Sequence, residues 1–308
     1  MGETHHRPAA VPILLVTGFL GAGKTTAVNH LLTHADGRRI AAVVNDFGAI
    51  NIDAELIADT ADNLISLANG CICCSLEGDL LRTLATLLRR DPRPEYIVIE
   101  TSGIADPADI VRNLMDPVIW KEAPLETILC IADATTPVLT DALAKNQIRA
   151  ADIVALSKTD LADPAELKAA ITALKPTAII IDAPNGQIST DLLFPPDPDH
   201  TPRETSPRRP TADRFETLSW TTDAPLSLPR LQSAIGRLSP KLARAKGFFE
   251  TVDDPGRQML LQLAAGRATL SPAAPRPPGA PRTRLVFIAE LGTLTQSDLD
   301  AALAPCAA

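Results

Sequence analysis

The sequence predicts an α/β domain with a doubly wound, mostly parallel sheet, followed by a smaller α+β domain. Short apolar runs rich in Val and Ile alternate with helical patterns over the first two thirds of the chain. Continuous apolar runs are typical of parallel strands covered on both faces, and strand–helix alternation is typical of a doubly wound sheet. The predicted strands are Ile13–Val16, Ile40–Val44, Tyr96–Ile99, Thr127–Ile131, Ile153–Leu156 and Ala178–Ile181.

Helical patterns fill the intervals between these strands. The clearest runs from Leu76 to Leu88, where leucines repeat on one helical face. Ser75 is the predicted N-cap of this helix, because a serine hydroxyl can accept a hydrogen bond from a first-turn amide. A second helix is predicted over Ala165–Leu174, and Pro176 ends it.

A change in composition after Phe194 predicts the domain boundary. The segment that follows is rich in Pro, Arg, Asp and Ser and has no periodicity, as a linker does. We therefore predict a first domain over residues 1–194, a linker over 195–212 and a second domain over 213–308. The strands predicted in the second domain are Phe215–Trp220 and Leu285–Ile288, and its helices are Leu226–Leu238 and Ser297–Leu303.

Composition and charge restrict the class of protein. The chain has 308 residues and a net charge of −8, and an acidic balance argues against a dedicated nucleic-acid or membrane-surface binder. No apolar run approaches the roughly 18 residues of a spanning helix. No signal pattern opens the chain, so the expected location is the cytoplasm. Cysteines crowd into residues 71–74, which in a reducing compartment favours metal binding or redox chemistry over a disulfide framework.

A glycine-rich segment predicts a phosphate-binding loop. Residues 18–25, GFLGAGKT, match the G-x-x-x-x-G-K-[ST] pattern, follow a predicted strand and open a helical pattern. In that context backbone amides surround the phosphates, Lys24 reaches the β- and γ-phosphates, and the Thr25 hydroxyl binds Mg²⁺. The alternative is a glycine-rich turn without a ligand. The predicted nucleotide contacts are Gly18, Gly21, Ala22, Gly23, Lys24, Thr25 and Thr26.

Such a loop needs an acidic residue at the end of a neighbouring strand, and two residues qualify. Glu100 ends one strand and continues as Glu100-Thr-Ser-Gly103, while Asp133 ends another. Glu100 is favoured as the second Mg²⁺ ligand, because the Gly103 amide could also contact the γ-phosphate. Asp133 is the alternative.

A base-reading element follows the strand Ile153–Leu156. Residues 157–160, SKTD, resemble the N-K-x-D element that reads guanine, with Ser in place of Asn. An aspartate at position 160 can accept hydrogen bonds from guanine N1–H and N2–H₂, which adenine cannot offer. Lys158 and Asp160 are therefore the predicted guanine contacts. The alternative is a plain loop in which Asp160 or Asp163 caps the next helix.

Cys71, Cys73 and Cys74 form a C-x-C-C cluster directly after Gly70. Three thiolates suit Zn²⁺ or Cu(I) and can hold Co²⁺. Three protein ligands leave the fourth tetrahedral position open, which suits metal transfer. A structural or redox cluster is the alternative, and Cys130, inside a strand, is expected to be a small buried apolar residue.

Together these residues resemble the CobW family of metallochaperone GTPases. The matching segments are GFLGAGKTT (18–26), NDFGAINID (45–53), GCICC (70–74), ETSGIADP (100–107) and SKTDL (157–161). The resemblance implies GTP and Mg²⁺ as cofactors, a catalytic set of Lys24, Asp46 and Glu100, and a metal at the cysteines. Ala49 stands where the family often has Glu, and His200 alone represents the family's histidine-rich stretch.

The resulting hypothesis is a GTP-hydrolysing carrier that binds Zn²⁺ or Co²⁺ and delivers it to a client metalloprotein. A homodimer formed on GTP or metal binding is an expected partner state, and neither nucleic acid nor membrane is. One alternative is a P-loop small-molecule kinase with a structural metal site. Another is a GTPase switch, in which Arg237, Lys241 and Arg244 form a basic stripe near one helical face that could meet an acidic partner.

Overall fold

The computed structural model describes most of the chain in two compact units, which divide between Ile188 and Ser189. The described residues are 10–35, 37–45, 64–67, 72–136, 141–194, 215–264, 266–273, 275–276 and 278–307. None of the helices in these ranges is long and apolar enough to cross a membrane.

Within the described residues, the first unit is built on a seven-stranded sheet in the order β3-β2-β4-β1-β5-β6-β7. Every pair of neighbouring strands in it is parallel. The predicted doubly wound parallel domain is therefore confirmed. The strands are Ile13–Thr17 (β1), Ile40–Asn45 (β2), Leu64–Leu67 (β3), Tyr96–Glu100 (β4), Leu125–Asp133 (β5), Ile153–Ser157 (β6) and Ile179–Asp182 (β7).

The helices of this unit pack on the sheet and bury its central strands. Leu15, Ile97 and Val154 lie in one apolar core with Leu84 from a helix. Continuous Val and Ile runs form these strands because both faces of a parallel sheet are covered. The helices are Lys24–Thr33 (α1), Ile72–Leu88 (α2), Pro107–Leu114 (α3), Pro117–Glu122 (α4), Ala142–Ala150 (α5) and Ala165–Leu174 (α6).

The helix expected to begin after Ser75 begins one turn earlier, at Ile72. The prediction of Ser75 as its N-cap is therefore wrong, because Ser75 lies inside the helix. Ile72 stands four residues before Leu76, so it extends the apolar repeat by one turn. Cys73 and Cys74 consequently belong to the first turn of α2 and not to a preceding loop.

In the part of the second unit that the structure describes, the strands form a five-stranded antiparallel sheet in the order β11-β10-β9-β12-β8. The smaller α+β domain is confirmed, although only two of these strands were predicted. Phe249 and Phe287 are fully buried in its core. Its elements are Thr190–Leu193 (α7), Phe215–Thr222 (β8), Leu228–Leu238 (α8), Leu242–Glu250 (β9), Gln258–Ala264 (β10), Arg267–Pro272 (β11), Thr283–Glu290 (β12) and Gln296–Leu303 (α9). The predicted linker, 195–212, lies outside the described residues.

The expected basic stripe does not lie on one helix. Helix α8 ends at Leu238, so Arg237 is helical, Lys241 ends a short 3₁₀ turn, and Arg244 lies in strand β9. Pro240 lacks the amide that would continue an α-helix. Arg244 is 2% exposed and donates to backbone carbonyls of α7, so this residue serves the interior of the unit.

Candidate functional site

The predicted phosphate loop lies between strand β1 and helix α1, at the carboxyl edge of the parallel sheet. Gly18, Gly21 and Gly23 have φ values of 141°, 72° and 93°. Side chains rarely adopt these conformations, so the glycines permit the tight path of the loop. Ligands of open α/β sheets bind at this edge.

The loop presents positive potential toward its interior. Gly23 is the N-cap of α1 and, among the described residues, no side chain forms a cap hydrogen bond there. The first-turn amides of such a helix form an anion site. The Lys24 ammonium donates to the Phe19 carbonyl at 3.2 Å and is largely buried. A lysine over its own loop, beside a helix N-terminus, fits a polyphosphate.

Thr25 and Glu100 meet at the mouth of this loop. The Thr25 hydroxyl donates to Glu100 Oε1 at 2.9 Å, and Glu100, the last residue of β4, is 4% exposed. Strand β4 pairs with β1 so that Val16 and Glu100 are register partners. A hydroxyl and a carboxylate are hard oxygen ligands of the kind that Mg²⁺ prefers. Of the two acidic candidates, the structure brings Glu100, and not Asp133, to Thr25.

The segment after Glu100 packs directly against the phosphate loop. The Thr101 amide donates to the Val16 carbonyl at 2.9 Å. A Cβ added at Gly103 would lie 2.8 Å from both the backbone nitrogen and the Cα of Leu20. Only a glycine allows this approach without displacing one of the two backbones. Asp106 then caps helix α3, accepting from the Ala108 amide at 2.9 Å.

The predicted guanine-reading segment is tied to the phosphate loop from the other side. The Ser157 hydroxyl donates to the Ala22 carbonyl at 2.7 Å. Lys158, which has a φ of 56°, donates to the Gly21 carbonyl at 3.1 Å and to Asp133 Oδ2 at 2.5 Å. Asp160 is exposed at the end of this segment. The departure from the usual Asn at position 157 thus places a hydroxyl on the phosphate loop.

The Asp133 carboxylate binds the Lys158 ammonium and is not part of the Thr25–Glu100 pair. Burial alone raises the pKa of this carboxyl. Hydrogen bonds from Lys158 and from the Thr135 hydroxyl and amide, with the lysine charge, outweigh burial and leave the pKa below its ordinary value. The carboxylate is therefore ionised at neutral pH. The strand pattern predicts an acidic residue at this strand end, but it does not predict the lysine partner 25 residues away.

The predicted metal and switch residues are only partly within the described chain. Cys71 and Asp46 lie outside the described residues, and Cys73 and Cys74 are placed by the backbone of α2 alone. Strand β3 ends at Leu67, so α2 begins at the carboxyl edge, the same edge as the phosphate loop. Among the described residues, no group of three or more His, Cys, Asp or Glu side chains could hold a metal ion.

Cys130 is a buried thiol beside the loop. It is 2% exposed, and burial raises its pKa to about 12, against a smaller lowering by the Lys24 charge. A protonated, inaccessible thiol is neither a nucleophile nor a metal ligand. The structure therefore places Cys130 as the small apolar residue that its strand pattern predicts.

Comparison with solved structures gave a match to the crystal structure of Zn(II)-bound YjiA GTPase from E. coli. It is 23% identical, covers 98% of this chain and 100% of that chain, and has a TM-score of 0.48.

Curated sequence relatives match about three fifths of the chain. The zinc chaperone CobW of Sinorhizobium sp is 35% identical over 221 residues, 60% of this chain and 62% of the relative. The zinc chaperone YjiA of Escherichia coli (strain K12) is 35% identical over 193 residues, 60% of this chain and 61% of the relative. The chain thus spans about three fifths of the length of these curated relatives.

Two family models match consecutive parts of the chain. Residues 215–307 match the cobalamin synthesis protein cobW C-terminal domain. Residues 12–182, more than half of the chain, match the CobW/HypB/UreG nucleotide-binding domain. The chain therefore belongs to the CobW/HypB/UreG family.

Proposed function

We propose that this protein is a GTP-hydrolysing metallochaperone that carries Zn²⁺ or Co²⁺ to a client metalloprotein. Binding of GTP is supported by the 2.9 Å hydrogen bond between the Thr25 hydroxyl and Glu100, which lies at the mouth of the glycine-rich loop. The loop supplies amides and a lysine for phosphates, and the pair supplies oxygens for Mg²⁺. The residues present fit Mg²⁺·GTP.

Each residue at this edge has a distinct task. Lys24 and the α1 amides would neutralise phosphate charge, and Thr25 and Glu100 would hold the magnesium ion, which would supply further positive charge at the phosphates. The Gly103 amide is assigned to the γ-phosphate. Asp46 is assigned by family resemblance to the switch segment that positions the attacking water or serves the metal shell.

Guanine selection is assigned to Lys158 and Asp160. Because Lys158 is held by Asp133 and by the Gly21 carbonyl, the base-reading segment keeps a fixed distance from the phosphate loop. Asp160 then accepts from the two guanine N–H groups. A kinase with no base preference would not need this arrangement, so comparing GTP with ATP affinity separates the two functions.

The cargo site is assigned to Cys71, Cys73 and Cys74. Two relatives of this chain are named zinc chaperones, which supports zinc as a cargo, and thiolate ligands also accept cobalt. The start of helix α2 lies at the carboxyl edge of the sheet, as the phosphate loop does. A nucleotide at one site can therefore change the free energy of metal binding at the other, and the effect is reciprocal.

The test is nucleotide-dependent metal affinity. Zn²⁺ is titrated against a chromophoric chelator with a Mg²⁺·GTP analogue, with GDP and without nucleotide. We expect affinity to rise at least about tenfold with the GTP analogue, which corresponds to a coupling of roughly 1.4 kcal/mol. Cys73→Ser should abolish this rise and the cobalt–thiolate absorption of a Co²⁺-loaded sample.

The matched control is Cys130→Ala, which removes a buried thiol outside the cluster and should leave metal affinity unchanged. Equal metal affinity under all three nucleotide conditions would contradict a carrier gated by GTP. Tight binding indifferent to nucleotide would instead indicate a structural metal in a GTPase switch or kinase. Phosphoryl transfer to a small-molecule acceptor, with no preference for GTP, would select the kinase.

A further inference from the structure

Gln147 is a fully buried polar residue on helix α5 that the sequence analysis did not select. Its exposure is 0%. Burying an amide is costly unless its groups form hydrogen bonds. The Nε2 group donates to the carbonyl oxygens of Gly103 and Ala105, each at 3.2 Å. The side chain is therefore committed to the loop that follows Glu100.

This loop holds the residue assigned to γ-phosphate contact. Its start is anchored where the Thr101 amide donates to β1. Its end is anchored at Asp106, whose carboxylate accepts from the Ala108 amide of helix α3 at 2.9 Å; the exposed Asn146 adds a surface hydrogen bond at 3.2 Å. The two bonds from Gln147 reach the middle of the loop, where Gly103 lies against Leu20 of the phosphate loop.

A glycine at this point needs external anchoring. Gly103 has no side chain, so its backbone has more conformational freedom than that of any other residue type. The planar peptide unit of the Gly103 carbonyl contains the Ile104 amide, so this bond holds the chain on the C-terminal side of Gly103 and limits the torsions that orient the Gly103 amide. One side-chain amide with two N–H groups can serve two carbonyls, which a hydroxyl or a thioether cannot do. Gln147 therefore restricts two peptide units of the loop, those of the Gly103 and Ala105 carbonyls.

We propose that Gln147 is a positioning residue: it holds Gly103 against the phosphate loop and thereby sets the discrimination between GTP and GDP. The proposal rests on the GTP-binding function assigned above. Because only GTP carries the γ-phosphate that Gly103 would meet, loss of Gln147 should weaken GTP and spare GDP.

The variant is Gln147→Met, which keeps the approximate volume and removes both donors. Dissociation constants for a non-hydrolysable GTP analogue and for GDP are measured with Mg²⁺ by fluorescence titration. We expect the GTP-analogue affinity to fall about tenfold, the scale set by buried acceptors left without donors, and GDP affinity to stay within about twofold.

Two control variants separate positioning from loss of structure. Asn146→Ala removes the neighbouring exposed amide and its bond to Asp106, and should leave the GTP-to-GDP ratio within about twofold. Leu167→Ala leaves a cavity in the core under helix α6 and lowers the melting temperature without touching the loop. Its ratio should equal that of the wild type.

An unchanged GTP-to-GDP ratio in Gln147→Met, with the wild type discriminating, would overturn the role of Gln147 and leave the proposed function standing. The same shift in Leu167→Ala would also overturn it, because general destabilisation would then be the cause. Failure of the wild type to bind GTP would overturn both proposals together.

Discussion

Gly103→Ala adds one carbon atom where the loop that follows Glu100 packs against Leu20 of the phosphate loop. The new Cβ would lie 2.8 Å from the nitrogen and Cα of Leu20, whereas ordinary van der Waals contact begins at 3.4 Å. The two backbones must therefore separate by roughly 0.6 Å. Gly103 has no positive φ, so the effect is steric and not conformational.

The magnitude follows from this separation. A misplacement of about 1 Å can cost about 100-fold in a catalysed rate, so we expect GTP hydrolysis to fall roughly tenfold or more. Overpacking of this kind costs about 1–3 kcal/mol of folding stability, so the variant should still fold. GDP affinity should stay within about twofold, because GDP has no γ-phosphate for this segment to meet.

The assay is single-turnover GTP hydrolysis, with GDP binding measured on the same preparations. The Leu20 side chain also lies 2.8 Å from the added atom through Cδ2, so a second comparison is needed. Gly103→Ala is measured in the Leu20→Ala background, which removes Cδ2 and keeps the backbone. Hydrolysis at the wild-type rate in Gly103→Ala, or full recovery in the double variant, would refute the backbone-overlap argument.

The other predictions concern stability and thiol chemistry. In the second unit, Gly247→Ala places a Cβ against the neighbouring strand at a φ of 156° and should cost about 3 kcal/mol or more in urea unfolding. Gly236→Ala, in helix α8 with nothing within 4 Å, should stabilise the same unit by about 1 kcal/mol. Asp133 has a lowered pKa in the folded state, so its carboxylate stabilises the fold at pH values above its unfolded pKa of about 3.9. The free energy of unfolding of the wild type should exceed that of Asp133→Asn by about 1 kcal/mol at pH 7. This difference should disappear as the pH falls through the lowered folded-state pKa. Cys130, with a pKa raised to about 12, should resist a thiol reagent at pH 8 until the protein unfolds, in a variant whose other cysteines are replaced by serine.

The phosphate loop was predictable because its signal is local. Its residues are consecutive, and the strand before them and the helix after them follow from short apolar patterns. The choice of Glu100 over Asp133 rested on the glycine three residues later, and the structure places that glycine against the phosphate loop. Helix α6 was predicted with its observed bounds, since an apolar repeat and a following proline mark it.

The missed elements owe their structure to distant partners. Strand β9 contains Arg244, and an arginine within an apolar pattern is ordinarily expected to lie on the protein surface. The guanidinium is buried because it donates to the Leu192 and Leu193 carbonyls, at 3.0 and 2.7 Å, about 50 residues earlier in the chain. Helix α5 was missed for the same reason: Gln147 interrupts its apolar face, and its carbonyl partners lie more than 40 residues away.

The phosphate loop is held by polar contacts on one side and by close backbone packing on the other. On the base side, Ser157 and Lys158 donate to the carbonyls of Ala22 and Gly21. On the γ-phosphate side, the loop meets Gly103, whose own carbonyl is held by Gln147. The Gly21 and Ala22 carbonyls thus face protein donors, and the Gly23 amide, which shares a peptide unit with the Ala22 carbonyl, points the opposite way from that carbonyl. A chain in which protein donors occupy the carbonyls leaves amides for an anion, so the buried polar contacts and the phosphate site are two consequences of one backbone path.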